Sequence, residues 1–314
     1  MKPLFAQRSQ VQRKLFNYPT VACLSLHASH FRLYRSDMPE LPEVELVARS
    51  LDHFVNGRTI ENALLLRPRL APSTSPTVFS KHLKNATINF VHRRGKYILF
   101  NLDNGRTLIT HLRMSGKFLI VPTEAKHPKF THAIFELYDG RSLLFQDQRH
   151  FGLMKIIKTS ELNDAKEIAK LAPEPFSNEF SPEYLREKLK ASKRSLKEFL
   201  IDQTKVCGVG NIYASEALFL AKVNPRTRSD RLSKPRTNLL HGSILRVFTD
   251  SFECMEHVKV EPDDISGSIY GNGAETAWRI YDREGEPCNE CGSPILRIMQ
   301  AGRSTYYCRV CQRD

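Results

Sequence analysis

An α+β chain of several domains is predicted: a β-sandwich with one flanking helix, then a helical domain, then a small cysteine-bearing ribbon. Three patterns predict it. Between residues 96 and 157 apolar residues alternate in short runs, between 181 and 257 they recur at helical spacing, and four of the seven cysteines crowd behind residue 287. With 314 residues, 41% of them hydrophobic and 26% charged, the chain can bury a core without a disulfide scaffold and is not a disordered polymer. No stretch approaches the roughly 18 uninterrupted apolar residues that a membrane span requires.

Residues 1–37 show no apolar period. They hold six basic side chains, among them Arg8, Arg13, Lys14, Arg32 and Arg35, against the single acid Asp37. Such a composition reads as an organelle transit peptide or as an initiation codon placed too far upstream. The second is favoured because nothing marks the chain as eukaryotic, and the segment is set aside as an extension outside the mature fold.

The first domain is expected over 38–165. Val44, Val47, Ala48, Leu51 and Phe54 follow a helical period that Gly57 stops. Strand-like runs follow at Lys96–Leu102, Thr107–Leu112, Lys117–Val121, His132–Tyr138, Ser142–Gln146 and Leu153–Ile157, with Asp139-Gly140 as a hairpin turn. Residues 166–180 read as a linker, because Pro173 and Pro175 break any period. A helical domain is expected over 181–277. Ser181-Pro182 starts one helix, Ser195-Leu196-Lys197-Glu198 is a capping box, and Asn211–Leu220 and Thr237–His257 supply two more. Residues 258–277 read as a mobile glycine-bearing loop, and 278–314 as the ribbon.

Charge narrows the partner. Lys and Arg number 47 against 34 Asp and Glu, and the chain without its extension keeps about +8 of the formal +13. An anionic partner follows, nucleic acid ahead of a membrane surface. Cys288-x-x-Cys291 and Cys308-x-x-Cys311 have the spacing of a tetrahedral Zn²⁺ site. Four protein thiolates close the coordination sphere, so the metal is structural and not catalytic. Gly208-Val209-Gly210-Asn211, a tight turn opening a helix, could offer backbone N–H groups to a phosphate or be a plain helix connection. Met38-Pro39-Glu40-Leu41-Pro42-Glu43-Val44-Glu45 places acids at a helix start, which by itself matches the helix dipole.

Taken together these motifs resemble the formamidopyrimidine-DNA glycosylase family, which also includes endonuclease VIII. The resemblance runs through Pro39-Glu40-Leu41-Pro42-Glu43-Val44-Glu45, Arg94-Gly95-Lys96-Tyr97, His111-Leu112-Arg113-Met114-Ser115-Gly116, Asp147-x-Arg149-x-Phe151-Gly152, Pro173-Glu174-Pro175, Gly208–Glu216 and the four cysteines. It covers nearly everything after residue 37, in the family's order.

The resemblance implies a base-excision repair glycosylase with AP-lyase activity, whose helical domain is of the helix–two-turn–helix kind. It implies Pro39 as an N-terminal nucleophile forming a Schiff base with C1′ of the damaged nucleotide, and Glu40 as proton shuttle. Lys96 would assist at the lesion and its phosphate, and Glu43 would position the lesion or sugar. A base must leave the stack before it can be cut. Met114, Arg149 and Phe151 resemble the set that fills the resulting void. Asn211 and Arg303 resemble phosphate-gripping residues, with Tyr213 and His132 as further DNA contacts. Met114 and Phe151 would otherwise read as core, and Lys96 as an ordinary strand cation.

The implied partner is damaged double-stranded DNA, bound by a monomer with one structural Zn²⁺, in the cytoplasm at a bacterial nucleoid unless residues 1–37 target an organelle. Leu41 and the set of Met114, Arg149 and Phe151 favour oxidised purines, 8-oxoguanine and formamidopyrimidines, over the oxidised pyrimidines of the endonuclease VIII branch. Three features depart from the family: His150 stands where a second Arg is usual, the 258–277 loop matches a lesion-capping loop by position only, and Pro39 is internal. An amide nitrogen cannot form an iminium, so the working protein is expected to begin at Met38 and lose it, or to be processed to Pro39. A blocked terminus would leave a non-catalytic lesion-binding protein. A zinc-ribbon transcription or RNA-binding factor would leave the Pro-Glu start without purpose.

Overall fold

The computed structural model describes residues 38–256, 258, 260–265 and 278–314; the extension 1–37 and most of the predicted 258–277 loop lie outside the described residues. Helix α1 (Leu41–Val55) starts with Pro42 in its first turn, where a missing N–H breaks no helical bond. The Glu40 N–H donates to the Glu43 carboxylate at 2.8 Å, closing a capping box. Gly57, at φ +72°, takes the chain out of the helix.

Eight antiparallel strands follow: β1 (Ile60–Leu65), β2 (Ile88–Arg94), β3 (Tyr97–Leu102), β4 (Arg106–His111), β5 (Gly116–Pro122), β6 (Thr131–Leu137), β7 (Arg141–Asp147) and β8 (Leu153–Lys158). They form two sheets, ordered β1-β6-β7-β5 and β2-β3-β4-β8. Ile60, Ala63, Phe118, Phe135 and Phe145 of one sheet share a buried core with Ile88, Ile98, Phe100 and Leu108 of the other, and Val44, Val47 and Leu51 of α1 join it. This is the predicted sandwich with its flanking helix.

Strands β1 and β2 and the short helix α2 (Pro76–Leu83) escaped the sequence reading. Both strands are sheet edges, and each has a register break, at Ile60/Asn62 and Ile88/Phe90. A bulge shifts the two-residue alternation by one position, which erases the signal a strand is read from.

The segment read as a linker is tied down. It opens with the short helix α3 (Lys166–Ala169). The Glu174 carboxylate then accepts from Arg94 Nη1 at 3.0 Å and from the Gly95 N–H at 2.7 Å, and it also pairs with Arg93.

Helices α4 (Pro182–Lys190), α5 (Leu196–Leu200), α6 (Asn211–Leu220) and α7 (Lys234–Met255) make the helical part. Ser181 caps α4, and the Ser195–Glu198 box caps α5 as predicted. Helix α6 is buried at every position from Ile212 to Phe219, so it runs through the centre of a second core with Leu185, Phe199, Leu240, Ile244 and Phe248. Leu41 of α1 belongs to this second core, so one helix seals both. The hairpin β9 (Leu296–Gln300) and β10 (Arg303–Tyr307) turns at Ala301-Gly302, both at positive φ. Tyr306, Cys288 and Cys308 pack into the same helical core, which gives the ribbon an apolar seat. Among the described residues no helix is long and apolar enough to cross a membrane.

Candidate active site and nucleic-acid interface

The glycine turn before α6 receives a carboxylate of the protein itself. Glu40 accepts hydrogen bonds from the backbone N–H groups of Gly210 (2.5 Å), Ile212 (2.8 Å) and Tyr213 (3.4 Å), so the positive end of α6 is filled from within. The reading of this turn as a phosphate cradle is thereby corrected. Both glycines are required sterically. A Cβ on Gly210 would stand 2.4 Å from Glu40 Cδ, and one on Gly208 would stand 2.3 Å from Leu41 Cδ1, with φ at +82° besides. Leu41 N–H donates to Gly208 O at 3.1 Å, stitching α1 to the turn.

Lys96 enters from the other side. It is buried, and its Nζ donates to Val209 O at 3.1 Å. Gln203 holds the same turn, Nε2 donating to Val209 O at 2.7 Å and Oε1 accepting from Gly208 N–H at 2.9 Å. Pro39, Glu40, Glu43 and Lys96 are all buried here. Desolvation pushes Glu40 up, with Lys96 and the α6 N–H groups opposing it. Desolvation, reinforced by Glu40, raises Glu43 to about 7. Lys96 is lowered by burial against the pull of Glu40 and Glu43, and Arg303 lowers it further. Arg303 itself is exposed at the start of β10, so the ribbon tip reaches the electrostatic neighbourhood of Lys96.

Tyr213 does not face outward. It is fully buried, its hydroxyl donating to Glu43 Oε1 at 2.7 Å and lying 2.6 Å from Ser251 Oγ. Its predicted role as a DNA contact is replaced by one inside the acid cluster. Asn211 is half-buried. Its Nδ2 lies 3.4 Å from the Tyr281 hydroxyl, and its Oδ1 has no hydrogen-bond partner.

The second feature is a turn. Asp147, fully buried, accepts from Ser115 Oγ and from the backbone N–H groups of Arg149 (3.2 Å) and Gly152 (2.6 Å). That carboxylate anchors the turn between β7 and β8 to the loop bearing Met114. Phe151 is 56% exposed with Arg149 over its ring at 5.5 Å, and Met114 is only half-buried. The core reading of these two apolar residues fails. A Phe this exposed forgoes part of the roughly 1.5–3 kcal/mol that full burial yields. Arg67, Arg69, Arg113, Arg149 and His150 line a groove of about 410 Å³ beside it, and among the described residues no acid lines it.

His132 is 4% exposed and bonded to His150, so its predicted DNA contact is corrected to an interior one. Arg67 and Arg69 escaped the sequence reading, since arginines beside an unrecognised edge strand look like solvated surface. His111 lies within a motif of the resemblance but has no role assigned by it. Its Nδ1 accepts from Arg113 N–H at 2.9 Å, and burial lowers it to about 3, so it is a neutral imidazole carrying its proton on Nε2.

The four cysteine Sγ atoms lie within 4.8 Å of one another. A Zn²⁺ tetrahedron with bonds near 2.3 Å has S···S edges of about 3.8 Å, so the set fits one ion with small inward shifts. Both pairs sit on knuckle turns, with Gly292 N–H donating to Cys288 O and Gln312 N–H to Cys308 O. Glu216 ties the approach to the ribbon, accepting from the N–H groups of Arg279, Ile280 and Tyr281.

Three sequence profiles match the chain: the formamidopyrimidine-DNA glycosylase N-terminal domain over residues 38–154, the formamidopyrimidine-DNA glycosylase H2TH domain over 171–260, and a zinc finger found in FPG and IleRS over 285–313. The formamidopyrimidine-DNA glycosylase of Bacillus licheniformis is 38% identical over 282 residues, spanning 88% of this chain and 100% of that protein. That of Symbiobacterium thermophilum is 40% identical over 281 residues, spanning 88% and 89%. Lactococcus lactis Fpg, solved in complex with DNA containing N7-benzyl-Fapy-dG, superposes with a TM-score of 0.80 at 33% identity, covering 88% of this chain and 100% of that one. The same protein with abasic-site DNA gives 0.79 at 33% identity and the same coverage. The chain belongs to the formamidopyrimidine-DNA glycosylase family.

Proposed function

We propose that this protein is a base-excision DNA glycosylase with AP-lyase activity that removes oxidised purines, 8-oxoguanine and formamidopyrimidines, from duplex DNA. Pro39, freed as the first residue, attacks C1′ of the damaged nucleotide; the C1′–base bond breaks and an iminium forms. Loss of a sugar proton then permits β- and δ-elimination, which cuts the strand on both sides of the sugar. The observation that carries this reading is the burial of Pro39, Glu40, Glu43 and Lys96 in one cluster drawn from separate segments. Glu40 adjoins the nucleophile and is held by backbone donors with its proton affinity raised, as a shuttle requires. Lys96 supplies a buried cation for the lesion or its phosphate. Arg149, Phe151 and Met114 fill the void left by the extruded base. Asn211 and Arg303 grip phosphates, and the zinc, when bound, holds the ribbon that carries Arg303. One chain supplies every group named here and the relatives are bacterial, which supports a monomer acting at a bacterial nucleoid.

A secondary amine is needed at Pro39, so the reading requires the mature protein to begin there. The test compares the full chain with a form starting at Pro39, each mixed with an 8-oxoguanine:cytosine duplex and borohydride. A reduced protein–DNA adduct is expected only from the Pro39 form, its mass mapping to that residue. No adduct and no strand cleavage from that form would overturn the proposal.

A further inference from the structure

His150 lies between Arg149 and Phe151 with a left-handed backbone, φ +64°, a conformation uncommon for a side chain with a β-carbon. Its ring is exposed but engaged. Nδ1 stands 3.0 Å from Nε2 of His132, and the two rings stack nearly parallel, 12° apart with centroids 4.9 Å distant. His132 projects from β6 and is buried, while Phe130 packs its ring edge-on against His150 at 5.7 Å. Asp147 and Arg67 are the charges facing His132, and Arg67, Arg69, Arg113 and Arg149 line the groove that His150 shares. The Asp147 carboxylate is already taken by Ser115, Arg149 N–H and Gly152 N–H.

We propose that His132 and His150 are a positioning pair, one imidazole-to-imidazole hydrogen bond that locks the left-handed turn and so aims Arg149 and Phe151 into duplex DNA. The inference rests on the function proposed above and assigns neither histidine to the chemistry. Its bond needs one ring nitrogen to donate and the other to accept. The pair keeps it when neutral or when carrying one extra proton. A second proton puts N–H on both facing nitrogens and opens the contact, in a groove already lined by arginines. Burial holds His132 below the ordinary histidine value, which keeps the bond intact at neutral pH.

The test uses two substrates with the Pro39-initiated protein. An 8-oxoguanine duplex needs the wedge, whereas a single strand bearing an abasic site has no void to fill. For His132→Phe, duplex excision is expected to fall about tenfold, with single-strand cleavage changed less than twofold. His150→Phe, at an exposed position, is expected to lose duplex excision similarly without loss of fold. His150→Asn, which tolerates positive φ and retains a donor and an acceptor, is expected to recover most of it. In the wild type the duplex-to-single-strand ratio is expected to hold down to the ordinary histidine range, about pH 6.5, to fall only below it as the second proton binds, and to stay flat in His132→Phe. Equal losses on both substrates, an undiminished His132→Phe, or a flat wild-type ratio would each overturn the pairing. An inactive wild type would instead overturn the proposed function.

Discussion

Glu40 shows how one side chain decides the use of a whole turn. Its carboxylate takes the N–H groups of Gly210, Ile212 and Tyr213, so the dipole of α6 holds a catalytic candidate in place and not a phosphate. Gly210→Ala would drive a methyl to 2.4 Å from Glu40 Cδ and displace it. Excision is expected to fall at least tenfold, measured by single-turnover cleavage, while circular dichroism stays native. Glu43 makes a prediction about pH. Its folded value, about 7, lies above its ordinary 4.5, so the native state favours the protonated acid. The stability this contributes is complete below about pH 4.5 and is lost as pH rises through about 7. Thermal unfolding of Glu43→Gln is therefore expected to lose part of the decline in Tm seen over that interval, on the order of 5 °C. An unchanged pH slope would refute the assignment.

At the level of elements, the turn between β7 and β8 is built to present apolar surface. Asp147 and Ser115 hold its base, and Phe151 stands out at 56% exposure. Phe151→Ala is expected to cost little stability, because more than half of the residue is already exposed. It should slow excision from duplex DNA several-fold, as read by stopped-flow or quench kinetics. The ribbon obeys a different rule. Its strands β9 and β10 are five residues each, so metal and helical core together must order it. Cys308→Ser is expected to abolish stoichiometric zinc in elemental analysis and to weaken duplex binding at least tenfold. Six strands, α1 and the helix caps at Ser181 and Ser195 were readable beforehand, since each repeats a local period or a fixed capping offset. Strands β1 and β2 were not, because bulges at sheet edges break that period.

Across the whole molecule the excess of cations becomes directional. The groove lined by Arg67, Arg69, Arg113 and Arg149 opens beside Phe151, and Arg303 stands at the ribbon tip near Lys96. Binding to duplex DNA is expected to weaken linearly on a log–log plot against salt, with Arg303→Ala reducing the slope by about 1. An unchanged slope would remove Arg303 from the phosphate contacts. Helix α1 couples these parts, its Leu41 end in the helical core and its Val44–Val55 face in the sandwich. Destabilising either core therefore disturbs the site between them.

Residue types and spacings along the chain were enough to determine the zinc ligands, the α+β order and the family, because chelation, helical period and motif order are local properties. The cluster of Pro39, Glu40, Glu43 and Lys96 was named from a resemblance, yet only the folded chain explains its glycines. Residues 170 positions apart in sequence meet there within hydrogen-bond distance. Tertiary structure alone decided that Tyr213 and His132 face inward, that Glu174 clamps the supposed linker, and that Phe151 is bare. Burial is set by what packs across from a residue, and no local window along the chain contains that information.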